Sequence, residues 1–202
     1  MVRAERPERI RDWTDYWTHY VLYCWCKGGV HVMAKEKDPA ATADKVVREC
    51  ETRNPLKIAR MNKILIRTVE DWQEQSGAYV EMMRQPIIYV AGRLDPVRKF
   101  IVIAHELGHH FLHRKEASQA GGFREFKIFD MALNRMEYEA NIFAAQLILP
   151  DDEVKDYVYQ GYDVSQIARA MNSDINLVAL KVSSYIKDGM PFREQEYKNK
   201  FY

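Results

Sequence analysis

The chain has 202 residues, 47% of them hydrophobic and 29% charged, with 30 Lys and Arg against 29 Asp and Glu and a net charge of +1. A chain of this length can bury about 70% of the surface that its unfolded form exposes, so it needs no disulfide or metal staple to hold a core; its balanced charge excludes a strongly basic nucleic-acid coat or an acidic tail. Apolar stretches such as Tyr20–Cys26 fall far short of the ~20 residues of a membrane span, the charged start (Arg3, Glu5, Arg6, Glu8, Arg9) lacks the apolar centre of a secretory signal, and Cys24, Cys26 and Cys50 fit reduced thiols better than a disulfide framework, so a cytoplasmic protein without a membrane partner is expected.

In chain order, Ile10, Trp13, Trp17, Val21 and Cys24 follow helical spacing until Gly28-Gly29, which predicts an amphipathic aromatic helix at about 8–27. It could pack on its own body or face a partner, and a natural start at Met33 would make it upstream read-through. Asp38-Pro39 reads as a polar link. A helix follows at about 42–53, and Asn54-Pro55 opens a short one to about Met61. Ile64 to Val69 is β-rich and reads as a strand; Ala78–Met83 and Ile87–Ala91 are two more, joined through Arg84-Gln85-Pro86. Asp95-Pro96 caps a helix that should run to about His113. Residues 115–130 read as a surface loop, and a second long helix runs from about 132 to 148. Pro150 ends it, Asp151-Asp152 open a helix to about Gln160, and two more are expected at about 164–171 and 175–187. The expected fold class is α+β: a small three-stranded sheet packed on one central helix, with a helical C-terminal half. Residues 1–41 form an aromatic helix and linker, 42–150 the core, and 151–202 a helical extension.

The run that carries chemistry is Ala104-His105-Glu106-Leu107-Gly108-His109, an HExxH on the helix after the strands. Four residues apart on a helix, His105 and His109 share a face, with about 6 Å between their Cβ atoms, and two neutral imidazoles at that spacing suit zinc. Glu106, rotated about 100° from His105, can flank the metal and accept a proton from activated water. A hydrolytic site needs a third protein ligand and an open position. His113 lies two turns past His105, about 12 Å along the axis, too far for one ion. The longer HExxHxxGxxH pattern is broken by Leu112 and Lys115. A carboxylate on the second long helix remains as the source, and both Glu137 and Glu139 lie there, where acids also suit a solvated helix N-terminus.

His-Glu-Leu-Gly-His-His-Phe-Leu-His (105–113), followed by Glu-Tyr-Glu-Ala-Asn-Ile-Phe-Ala-Ala-Gln-Leu-Ile-Leu-Pro (137–150), resembles the ImmA/IrrE family of metallopeptidases over about residues 43–187. The resemblance implies that His105, His109 and Glu137 bind one zinc ion per chain, with Glu139 the second choice for the acid. It also implies that Glu106 is the catalytic base of peptide hydrolysis. By the same resemblance the partner is a protein substrate, a helix-turn-helix repressor of a phage or mobile element. Tyr138 and His110 are candidates for the oxyanion donor. An acceptor outside the ligand set is expected for the far side of each ligand histidine, without being named. An extended substrate could add to a sheet edge such as the strand at 87–91. Residues 164–181 look like a helix-turn-helix, but the second helix offers only Lys181 and Lys187 beside Asp174 and Asp188. Packing or substrate docking is therefore favoured over DNA reading, and no direct nucleic-acid partner is expected. A noncatalytic antirepressor or toxin-type interaction protein that keeps a zinc site is the alternative function.

Overall fold

Side-chain caps set most of the helix starts. Asp38 accepts hydrogen bonds from the backbone N–H groups of Ala40 (2.9 Å) and Ala41 (3.2 Å), with proline at the first turn, and so starts α1 (Pro39–Cys50). The expected polar link at Asp38-Pro39 is thus the cap itself, and the helix begins and ends about three residues earlier than expected. Asn54 caps α2 (Pro55–Met61) in the same way. Three strands follow, β1 (Leu65–Val69), β2 (Gly77–Met82) and β3 (Gln85–Ala91). Then come α3 (Pro96–Leu112), α4 (Arg135–Ile148), α5 (Asp151–Tyr159), α6 (Val164–Ala170) and α7 (Ile175–Lys187). The computed structural model describes residues 37–116 and 135–191. The helix expected at 8–27, most of the loop expected at 115–130 and the first residues of the helix expected from 132 lie outside them.

The architecture is α+β. The sheet order is β1-β3-β2, with β1 parallel and β2 antiparallel to β3. Strand β3 is therefore the central strand, and the expectation that residues 87–91 offer an edge is corrected: the edges are β1 and β2. The residues expected as a link already pair, Gln85 with Met82 and Pro86 with Glu81. Pro86 is tolerated because the pairing with β1 begins only at Ile87, so no ladder bond there needs its missing N–H. Met83 (φ 50) and Arg84 (φ 66) alone make the hairpin turn, both in the left-handed region that matches the twist of tight hairpins.

Helix α3 packs on the sheet and against α4. Leu107, Phe143, Ala144 and Leu147 are fully buried at this contact, and Phe111 stacks on Phe143 with ring centroids 5.7 Å apart. Gly108 sits where the two helices come closest: a Cβ there would lie 2.9 Å from Ala140 Cα. A mid-helix glycine costs about 1 kcal/mol against alanine, and the close approach explains its place. The C-terminal helices join the same core through Ile167, Leu177 and Val178. A polar cluster braces them: Lys181 Nζ lies 2.6 Å from Asp151 Oδ1 and donates to Gln146, and the Tyr185 hydroxyl donates to Asp151 at 2.7 Å. Arg53 Nη1 donates to the carbonyls of Gln146 (2.7 Å) and Leu147 (3.1 Å) at the end of α4. No helix among the described residues is long and apolar enough to cross a membrane.

Candidate metal centre

The Gly108–Ala140 contact decides where the chemistry sits. His105 and His109 lie on α3 to either side of Gly108, and Glu137 and Asn141 lie on α4 to either side of Ala140. Pressing the helices together at the two small residues brings these four side chains to one place. His105, Glu106 and His109 are all fully buried. The Nε2 atoms of His105 and His109 are 3.1 Å apart, and Glu137 Oε2 lies 3.3 Å from the first and 3.5 Å from the second. Four ligands placed tetrahedrally at 2.0–2.1 Å around zinc stand roughly 3.3 Å from one another. The triangle therefore has the edge lengths that a zinc ion imposes, and two imidazole nitrogens with one carboxylate oxygen are a donor set that zinc takes.

The opposite ring edges fix the tautomers. His105 Nδ1 lies 2.9 Å from Asn141 Oδ1, so it donates there and leaves the Nε2 lone pair aimed at the centre. His109 Nδ1 lies 3.3 Å from His113 Nδ1, and His113 Nε2 lies 2.8 Å from Glu139 Oε2. A carboxylate only accepts, so His113 Nε2–H donates to it, His113 Nδ1 accepts, and His109 Nδ1–H is the donor. His113 is thus beside the centre without entering it, as its distance along the helix requires. Glu139 belongs to His113 rather than to the metal position, and the Arg135 guanidinium holds it at 2.6 Å. Of the two acids left open by the helix pattern, Glu137 joins the histidines. Asn141, His113 and Glu139 are neighbours of the candidate centre whose contacts spacing alone did not assign. The signal for His113 was present: His105, His109 and His113 repeat at four-residue intervals along α3 and into its C-cap.

Glu106 points away from that stripe towards β2. Neither of its carboxylate oxygens has a hydrogen-bond partner among the described residues. Burial pushes its carboxyl up to about 7, helped by the Glu137 charge and opposed by His109 and His105. A carboxyl in that range can both take and return a proton near neutral pH. Gly77 at the start of β2 makes the space for it, since a Cβ there would stand 2.4 Å from Glu106 Oε1. For Glu137, burial acts to raise the carboxyl, but its contacts with His105 and His109 outweigh that and bring it down to about 2, which keeps it an anion. The oxyanion candidates are placed differently. His110 turns to Tyr79, whose hydroxyl lies 3.0 Å from its Nδ1, and burial lowers its pKa to about 4, so the ring stays neutral. Tyr138 is half-buried on α4.

Comparison with known proteins gives the family. The family profile described as the IrrE N-terminal-like domain matches residues 61–183, which include every residue of the centre. The chain belongs to the ImmA/IrrE metallopeptidase family. It is 30% identical to the metallopeptidase ImmA of Bacillus subtilis over 132 residues, 63% of this chain and 73% of that protein. It is 28% identical to an immunity region protein of Bacillus phage phi105 over 148 residues, 73% of this chain and 91% of that one. Among solved structures, a Mycobacterium tuberculosis transcriptional regulator shares the fold, with a TM-score of 0.51 and 17% identity, over 72% of this chain and less than half (46%) of that one. Family membership implies a bound metal.

Proposed function

We propose that the chain is a zinc-dependent endopeptidase that cleaves one specific protein in the cytoplasm, a helix-turn-helix repressor of a phage or mobile element. The observation that carries this reading is the convergence of His105 Nε2, His109 Nε2 and Glu137 Oε2 within 3.5 Å of one another, beside the buried carboxylate of Glu106. In this reading those three residues hold one Zn2+ per chain. Zinc in a three-ligand site supplies a Lewis acid that draws down the pKa of water and polarises a peptide carbonyl. Glu106 does the proton work: it takes a proton from the attacking water and passes it to the leaving amine nitrogen. Its place inside the fold excludes bulk solvent, which strengthens each of these charge interactions. An extended substrate pairing with the free side of β2, which pairs only with β3 among the described residues, would run its backbone past Gly77, where Glu106 reaches the strand. Similarity to a metallopeptidase and to a phage immunity region protein supports a regulator of a mobile element as the substrate class.

The test is incubation of the purified chain with the helix-turn-helix repressor encoded beside it, with and without a chelator, followed by intact-mass analysis. Two fragments whose masses sum to the repressor plus one water are expected, and none with chelator. Glu106→Gln should bind zinc and leave the repressor whole. Cleavage by that variant, or undiminished cleavage in chelator, would reject the assignment.

A further inference from the structure

We propose that His113 and Glu139 are a positioning pair that holds His109 in its ligating tautomer, so that the grip on the metal depends on a carboxylate that does not itself ligate. The proposal rests on the reading of His109 as a ligand. Among the described residues, different groups stand behind the two ligand histidines. His105 donates to the neutral amide of Asn141 at 2.9 Å. His109 donates to His113 at 3.3 Å, and His113 donates to Glu139 at 2.8 Å. That second chain ends in a negative charge, and Arg135 fixes the charge in place from one turn earlier on the same helix. His113 is 5% exposed, so its ring is held by packing as well as by its two hydrogen bonds.

An imidazole whose far N–H points toward an anion is a more basic ligand and has one orientation, whereas an unbacked ring can flip or carry its proton on the ligating nitrogen. The intervening histidine passes on this preference, because its Nε2–H is committed to Glu139 and only its Nδ1 lone pair faces His109. Glu137 and Glu139, two residues apart on α4, thereby divide the work: one faces the metal position and the other sets the ring that faces it.

Zinc affinity of the full chain, read by competition against a chromophoric chelator, tests this, with unfolding of the metal-free proteins as the control for folding. His113→Leu is expected to weaken zinc binding about 10- to 100-fold and Glu139→Gln about tenfold. His113→Asn places an amide oxygen near the lost Nδ1 and should recover part of the His113→Leu loss, which a purely structural role would not predict. Nitrogen NMR of the metal-free chain should find the His109 proton on Nδ1 and find that preference weakened in Glu139→Gln, a readout that holds even where His113→Leu fails to fold. Zinc affinities of Glu139→Gln and His113→Leu within about twofold of the wild type, or a wild-type His109 protonated on Nε2, would overturn the positioning role alone. A wild-type chain that binds no zinc would overturn the proposed function, and this inference with it.

Discussion

Glu106→Gln should do more than stop cleavage: it should make the metal-free protein more stable, and only above mildly acidic pH. Burial carries the Glu106 carboxyl from 4.5 to about 7 on folding. The folded chain then binds more protons than the unfolded chain across that window, so its stability falls as pH rises from about 4.5 through 7. The full cost of holding the anion in place is about 3 kcal/mol. Glutamine has nearly the same shape and no charge, so the variant escapes that cost. Its amide sits in the same buried surroundings, and whatever that burial costs does not change with pH. The expected result is a small stability difference at pH 5 that grows in favour of Glu106→Gln by up to about 3 kcal/mol at pH 8, roughly 6–12 °C in Tm for a chain of this size. Glu137 does not intrude. Its carboxyl is lowered to about 2, so the stability that it confers is lost only as pH falls from 4.5 toward 2. The neighbouring histidines oppose the rise of the Glu106 carboxyl, and their effect is already contained in its value of about 7. Urea unfolding of both proteins in excess chelator at pH 5 and pH 8 makes the measurement, and an equal difference at the two pH values would refute the claim that folding raises the Glu106 carboxyl.

Three further outcomes follow from the packing. Gly108→Ala drives a Cβ to 2.9 Å from Ala140 Cα, so the helices must part; a loss of about 1–3 kcal/mol in denaturant unfolding should accompany weaker zinc binding in the chelator competition. Gly77→Ala puts a Cβ 2.4 Å from Glu106 Oε1 and 2.6 Å from Val102 Cγ1; displacing the carboxylate by such an amount should cut repressor cleavage by about a hundredfold while zinc stays bound, as mass spectrometry under native conditions would show. Lys181→Met removes the buried partner of Asp151 and Gln146. Because Asp151 is partly exposed and keeps the Tyr185 hydroxyl, the loss should be about 1–2 kcal/mol, with zinc affinity unchanged.

Much of this fold could be read from local chemistry, and the exceptions have physical causes. Asp95-Pro96, Asn54-Pro55 and the HExxH period depend on contacts within a few residues, and each lies where the sequence places it. Asp38-Pro39 carries the same capping signal, but its helix opens with Ala40, Ala41 and Thr42 and no apolar period, so the start looked like linker. The hairpin turn escaped because Met83 and Arg84 are poor turn residues; the pairing of β2 with β3 imposes positive φ on them. That β3 is central depends on β1 returning to its far side, a long-range pairing with no local trace.

The candidate site divides along the same line. Spacing along one helix was enough to bring His105 and His109 together and to keep His113 out of the metal position, though it touches His109 from behind. Choosing between Glu137 and Glu139 needed the second helix's rotation about its contact with the first, and that rotation is set by Gly108 lying on Ala140. A larger residue at 108 would collide with Ala140 and push the two helices apart. The glycine inside the HELGH run is therefore as much a part of the centre as the residues that face it. That contact also accounts for the tolerance of a helix-weakening residue inside a helix as buried as α3.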